Sequence, residues 1–124
     1  MDFSDDRPIY VQIADNIRSQ ILTGSLKPGD QLMSTTQYAN TYRINPATAN
    51  KAFGLLVDEG TVTKRRGIGM FVTESGPQIL REAGQQSYVP NHLGPALAEG
   101  LELGLSSTEI LVLAQEFFAE KEQS

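Results

Sequence analysis

The stretch from Asn45 to Lys51 brings Asn45, Ala47, Thr48, Asn50 and Lys51 close together, all small or polar groups. An asparagine amide matches an adenine edge. A threonine offers a hydroxyl to phosphate and a methyl to thymine, and a lysine neutralises phosphate. A second cluster, Arg65-Arg66-Gly67, sets two cations beside a glycine that lets the backbone come close to a partner. Both clusters suit contact with a polyanion, and neither suits bond-making. With no cysteine in 124 residues, disulfides, iron–sulfur clusters, thiolate zinc and cysteine nucleophiles are excluded. One histidine, His92, leaves little material for a Ser-His-Asp relay or a His-rich metal site. Gly67-Ile68-Gly69 lacks the following helix and Lys-Ser/Thr of a phosphate loop. The expectation is no catalytic residue, no metal, no cofactor and no enzyme.

Each candidate also has a plain structural reading. Asn45 is a good helix cap. Arg65 and Arg66 could simply keep a hairpin soluble. Tyr10, Tyr38, Tyr42 and Phe53 read as core, and His92 as an exposed or capping residue.

The elements that would position these groups follow from periodicity. Pro8 suits a first helical position, and Ile9, Ile13, Ile17 and Ile21 recur every four residues. Gln12, Asp15, Asn16 and Ser19 fall on the opposite, polar face, and Gly24 ends the helix. Lys27-Pro28-Gly29-Asp30 reads as a turn. Ser34-Thr35-Thr36-Gln37 has capping-box form and opens a short second helix, with Tyr38, Ala39 and Tyr42 inward. After a break at Arg43-Ile44, Asn45 caps and Pro46 starts a third helix that runs to about Glu59 and ends at Gly60. Ala49, Ala52, Phe53, Leu56 and Val57 form its inner stripe. So short a link makes the second and third helices cross steeply, as in a helix-turn-helix. Thr61–Lys64 and Met70–Thr73 then read as two strands of a hairpin with Arg65–Gly69 at its tip. Three helices followed by a hairpin describe a winged helix-turn-helix, whose third helix offers its N-terminal residues to a major groove.

From residue 74 the chain turns helical and acidic. Pro77 to about Gln86 reads as a helix or linker, with Tyr88-Val89-Pro90 interrupting it. Leu93, Leu97 and Leu101 mark a further helix that stops near Gly104. Ser106-Ser107-Thr108-Glu109 is a second capping box, and Ile110, Leu111, Leu113, Ala114, Phe117 and Phe118 cover a wide face of the last helix. Two short helices cannot easily bury so much apolar surface alone. Leu93, Leu97, Leu101, Ile110, Leu113, Ala114, Phe117 and Phe118 are therefore expected at a dimer interface. The fold class expected is α+β, mostly α. A winged helix-turn-helix DNA-binding domain (7–74) precedes a small C-terminal helical dimerisation region (75–124).

Charge supports two modules with different partners. The net charge is −5, and Asp2, Asp5 and Asp6 account for an acidic start. Residues 7–73 carry eight basic side chains against four acids. Residues 74–124 carry Arg81 and Lys121 against eight glutamates. Nucleic-acid binding needs a local basic face rather than a basic total. No apolar run approaches a membrane span, and the acidic start is unlike a secretory signal. A cytoplasmic protein with no membrane partner is expected.

The stretch PIYVQIADNIRSQILTGSLKPGDQL followed by MSTTQYANTYRINPATANKAFGLLVDEGTVTKRRGIGMFVT resembles the DNA-binding domain of GntR-type bacterial transcription regulators. The motifs that carry this are Pro8-Ile9-Tyr10 with Gln12-Ile13, Leu26-Lys27-Pro28-Gly29-Asp30, Ala49 and Ala52 with Leu55-Leu56 and Glu59-Gly60, and Arg66-Gly67-Ile68-Gly69 with Phe71-Val72. Asn45-Pro46-x-Thr48 and the brief helical tail are similar to the YtrA-type branch. The resemblance implies a homodimer on double-stranded DNA with a two-fold symmetric operator, and a repressor by family tendency. It places DNA contacts on Asn45, Ala47, Thr48, Asn50, Arg66 and Gly67. Lys51 is added from its charge and helix position, and Arg65 from the wing tip. The family's usual proline, serine and DNA-contacting arginine are here Met33, Ser34 and Thr36, and Pro46 and Asn50 stand where basic residues are common. Weaker affinity or an unusual base preference is the consequence expected. A cleft between subunits leaves room for an unidentified small-molecule effector. The competing reading is a dimeric protein-interaction module with weak or effector-dependent DNA binding.

Overall fold

Pro8 stands just outside the first helix of this computed structural model, which describes residues 6–123. The acidic Asp2 and Asp5 lie outside the described residues. Helix α1 spans Ile9–Thr23, and the Pro8 carbonyl accepts from the amides of Val11 and Gln12, so Pro8 is the N-cap rather than the first helical residue. Ile13, Ile17 and Ile21 enter the core as the four-residue spacing demands, whereas Ile9 stays exposed. Gln12 departs from the polar face assigned to it. It is buried, and its side-chain amide donates to the Arg7 carbonyl at 2.7 Å, which meets the cost of removing an amide from water.

Helix α2 (Thr35–Tyr42) begins with a complete capping box. The Ser34 hydroxyl accepts from the Gln37 amide, and the Gln37 side chain accepts from the Ser34 amide. Helix α3 (Pro46–Glu59) packs against both α1 and α2. Phe53 fills the centre, edge-on to Tyr38 at 5.6 Å between ring centroids, with Ala49, Ala52 and Leu56 buried around it. Arg18 ties α1 to the far end of α3. Its Nε donates to Glu59 at 2.9 Å and its Nη1 to Asp15 at 2.9 Å, and Asp15 also pairs with Arg7. Partial burial works against the Arg18 charge, but the two carboxylates outweigh it, and the net effect raises its pKa.

Strands β1 (Val62–Arg65) and β2 (Gly69–Val72) pair antiparallel, with Val62 opposite Val72 and Arg65 opposite Gly69. Two threonines fasten this hairpin to the end of α3. Buried Thr61 donates to the Leu56 carbonyl at 3.1 Å, and Thr73 donates to the Gly60 carbonyl at 2.6 Å. The segment before α2 adds a partial third strand. Gln31 bridges to Phe71, the Leu32 amide donates to the Met70 carbonyl at 2.8 Å, and the Val72 amide donates to the Asp30 carbonyl at 2.9 Å.

The chain divides into two compact units, one ending at Ala83 and one running from Gly84. Helix α4 (Gly76–Tyr88) carries the chain from the first to the second. In the first unit Leu80 packs on the core. In the second, the expected interruption at Tyr88-Val89-Pro90 does not occur. Residues Val89–Leu93 form a single π-helical turn that leads directly into α5 (Gly94–Glu102). Pro90 has no N–H to give to the preceding turn, and the wider turn absorbs that loss. The Gly94 amide reaches back to the Val89 carbonyl, and a Cβ at Gly94 would lie 2.8 Å from that oxygen. Helix α6 (Ser107–Gln123) starts at a second capping box formed by Ser106 and Glu109. It crosses α5 where Gly100 faces the tip of Ile110. No helix among the described residues is long and apolar enough to cross a membrane.

Candidate nucleic-acid interface

The first turn of α3 is built to leave its outer face free. Asn45 sits in extended conformation, and its side-chain oxygen accepts from the Ala47 amide at 2.8 Å. Its carbonyl takes the amides of Thr48 and Ala49, while Pro46 at the first helical position has no amide to satisfy. Ala49, Ala52, Phe53 and Leu56 turn inward, so the 3.6-residue repeat brings Ala47, Asn50 and Lys51 outward. Asn45, Ala47, Asn50 and Lys51 are exposed, and Thr48 is half-buried beside them. The positive end of the helix dipole adds to the attraction of this face for an anion.

Lys51 is not fully extended toward solvent. Its ammonium lies over the Tyr10 ring of α1, 4.1 Å from the centroid, which anchors the charge at the seam between the two helices.

The hairpin carries the second cluster. Ile68 N–H donates to the Arg65 carbonyl at 3.0 Å and closes the tip, with Gly67 in the left-handed region. Arg65 and Arg66 are both exposed. The Arg65 guanidinium stacks over the Phe71 ring at 4.3 Å, so its direction is set by the sheet. Among the described residues Arg66 forms no ion pair. The eight proposed contact residues thus fall into two groups in the first unit, one on the opening turns of α3 and one at the hairpin tip.

Two further residues were not singled out from sequence. Gln31 reaches the hairpin tip with its side chain. Arg43, between α2 and α3, has φ 54° and is the non-glycine residue with positive φ among the described residues. That conformation costs an L-residue roughly 1–2 kcal/mol. A basic residue two positions before the Asn45 cap was the available signal for Arg43. For Gln31 there was little, because a lone bridge carries no periodicity.

The tail residues form a different surface. Leu93, Leu97, Leu101, Leu113, Ala114, Phe117 and Phe118 are exposed, joined by Leu103, Leu111 and Val112. Ile110 is half-buried, because part of it is used between α5 and α6. A cavity of about 260 Å³ lined by Leu97, Leu101, Ser107, Ile110 and Leu111 opens between these two helices. Within the described residues no cluster of His, Asp or Glu could hold a metal ion.

A helix-turn-helix whose third helix leads into a hairpin with a basic tip defines the winged helix-turn-helix class. The chain matches the family model described as bacterial regulatory proteins, gntR family, over residues 9–72. It is 33% identical over 114 residues to the HTH-type transcriptional regulator YhcF of Bacillus subtilis, covering 88% of each chain. It is 37% identical over 75 residues to the HTH-type transcriptional repressor YtrA of the same organism, covering 60% of this chain and 58% of that one. Among solved structures, a transcriptional regulator from Oenococcus oeni superposes with a TM-score of 0.79 at 26% identity, over 95% of this chain and 97% of the other. The DNA-binding domain of AraR in complex with operator ORR3 superposes at 0.53 with 26% identity, over 59% of this chain and 88% of that one. The protein belongs to the GntR family of DNA-binding transcriptional regulators, in its YtrA-type branch. Members of this family are regulators rather than enzymes.

Proposed function

We propose that the chain is a cytoplasmic repressor that binds a two-fold symmetric operator as a homodimer. Residues 7–74 are the DNA-binding domain and residues 75–124 the dimerisation tail. Asn50 reads a base edge in the major groove. Asn45, Thr48 and Lys51 hold the adjoining phosphates, and Ala47 leaves room for close approach. Arg65, Arg66 and Gly67 take the backbone or minor groove beside the site. The observation that carries this reading is the opening of α3, where Asn45, Asn50 and Lys51 are exposed while Ala49, Ala52 and Phe53 are buried in the core.

The exposed leucines and phenylalanines of the tail support self-association, since so extended an apolar surface marks an interaction site. A two-fold dimer would repeat the α3 contact on a pseudo-palindromic site. A small-molecule effector would fit a cleft between subunits.

The experiment is fluorescence anisotropy with DNA from the gene's own promoter and a scrambled competitor, across a salt series. The expected result is tight, promoter-selective binding with a steep salt dependence. Asn50→Ala should lose about 1–3 kcal/mol and relax preference at one base position. An unchanged operator-variant profile for Asn50→Ala would remove Asn50 from base readout. Binding of the unaltered chain to neither DNA at low salt would favour a dimeric protein-interaction module, in keeping with the uncharged Thr36 at the start of α2.

A further inference from the structure

The hairpin tip is joined to the rest of the first unit by a side chain from a distant part of the sequence. The Gln31 side-chain amide donates to the Ile68 carbonyl at 3.1 Å, across 37 residues of chain. Gln31 also bridges through its backbone to Phe71, so its side chain runs along the sheet from Phe71 toward the tip. Its path crosses the space that a side chain at residue 69 would claim. A Cβ at Gly69 would lie 2.6 Å from the Gln31 amide nitrogen. Gly69 has φ 145°, within the range that L side chains rarely adopt. Gly69 is also the partner of Arg65 in the β1–β2 register. The carboxamide is therefore seated against the strand position opposite one of the two tip arginines.

A two-stranded hairpin is marginal by itself, and a tip with Gly67 and Gly69 has few constraints of its own. The Ile68 carbonyl would otherwise face solvent. An amide donor placed there fixes the turn that carries Arg65 and Arg66.

We propose that Gln31 is a positioning residue for DNA binding: it holds the Arg65–Gly69 tip in the orientation in which Arg66 meets the DNA backbone. Gln31 acts through the wing and does not itself touch DNA. This rests on the DNA-binding reading above.

The test has two arms, both with the full chain. In the first, amide hydrogen exchange is measured without DNA on the unaltered protein, Gln31→Ala and Gln31→Glu. Glutamate keeps the shape and removes the donor. Exchange at Ile68 and its neighbours should rise about tenfold in both variants while the α1 and α3 amides stay protected. Unchanged exchange at the tip would overturn the proposal, whether or not the chain binds DNA. In the second arm, promoter affinity is measured for Gln31→Ala, Arg66→Ala and the double variant. Gln31→Ala alone should weaken binding about three- to tenfold, the worth of one hydrogen bond. In the Arg66→Ala background that loss should largely vanish, because the tip no longer carries its contact. A loss of equal size in both backgrounds would overturn the proposal and place Gln31 at the DNA directly. Failure of the unaltered chain to bind any DNA would count against the parent reading, and the exchange arm would still decide the role of Gln31 at the tip.

Discussion

Up to Ala83 the side chains that periodicity turns inward find one another. Ile13, Ile17, Ile21, Phe53, Leu56 and Val62 converge from two helices and a strand, and each is almost wholly removed from water. From Gly84 onward the chain has comparable apolar residues and no such centre: no described residue of α5 or α6 is buried. A core needs elements on more than one side of each apolar stripe. The first unit supplies helices and a sheet around a single point. The second supplies a helix pair, and Gly100 against Ile110 satisfies one flank while Leu103, Leu113 and Phe117 remain uncovered. Charge divides the same way, with a basic excess before residue 74 and an acidic one after it. One unit is closed and presents polar groups outward, whereas the other is open and presents hydrocarbon.

The comparison can be broken most directly with a matched pair of truncations. Phe53, 1% exposed, should cost about 3–5 kcal/mol when replaced by alanine and lower the melting temperature steeply. Phe117, 56% exposed, should cost under about 1 kcal/mol in dilute monomer yet weaken self-association measured by sedimentation. Equal thermal losses for both would mean that the two units are not different in kind.

A pH series sharpens the same contrast. Burial pushes the Tyr38 phenol up to about 12, and its hydrogen bond with Asn16 offsets part of this. The folded value lies above the unfolded value near 10. The contribution is therefore complete below pH 10 and is lost as pH rises toward 12. Denaturant melts between pH 8 and 12 should show the first unit losing stability over that window, and Tyr38→Phe should flatten the loss. A Tyr38→Phe profile parallel to that of the unaltered protein would exclude this origin.

The smallest effects come from the caps. Asn45→Ala and Ser106→Ala should each remove about 1 kcal/mol of helix stability. In the first unit the loss should appear in the global melt, because α3 is central to the core. In the second it should appear as faster amide exchange confined to the start of α6.

The helices of the first unit were legible because each has both a boundary signal and a stripe: Ser34 with Gln37, and Asn45 with Pro46 before Ala49 and Ala52. The hairpin was legible from its change of period, to within a residue at each end. What sequence missed depends on tertiary contact. Pro90 looks like a break until the π turn shows how its missing amide is accommodated. Gln12 looks polar and outward until the Arg7 carbonyl supplies a partner. Gln31 reaches the hairpin through a bridge and Arg43 ends α2 in a left-handed backbone, neither of which leaves a repeating pattern. The direction of Lys51 toward Tyr10 likewise depends on how α1 and α3 meet.

The contact between Gln31 and Ile68 has a kinetic consequence. Helices of 8 to 15 residues can form from neighbours, but this hydrogen bond must close a loop that contains all of α2, α3 and β1. Contacts of such sequence separation repay their closure entropy only after the intervening chain has condensed. The tip should therefore acquire its final geometry late in folding, after the three helices have docked. Substitutions at Gln31 should chiefly accelerate unfolding and leave the folding rate nearly unchanged in stopped-flow measurements.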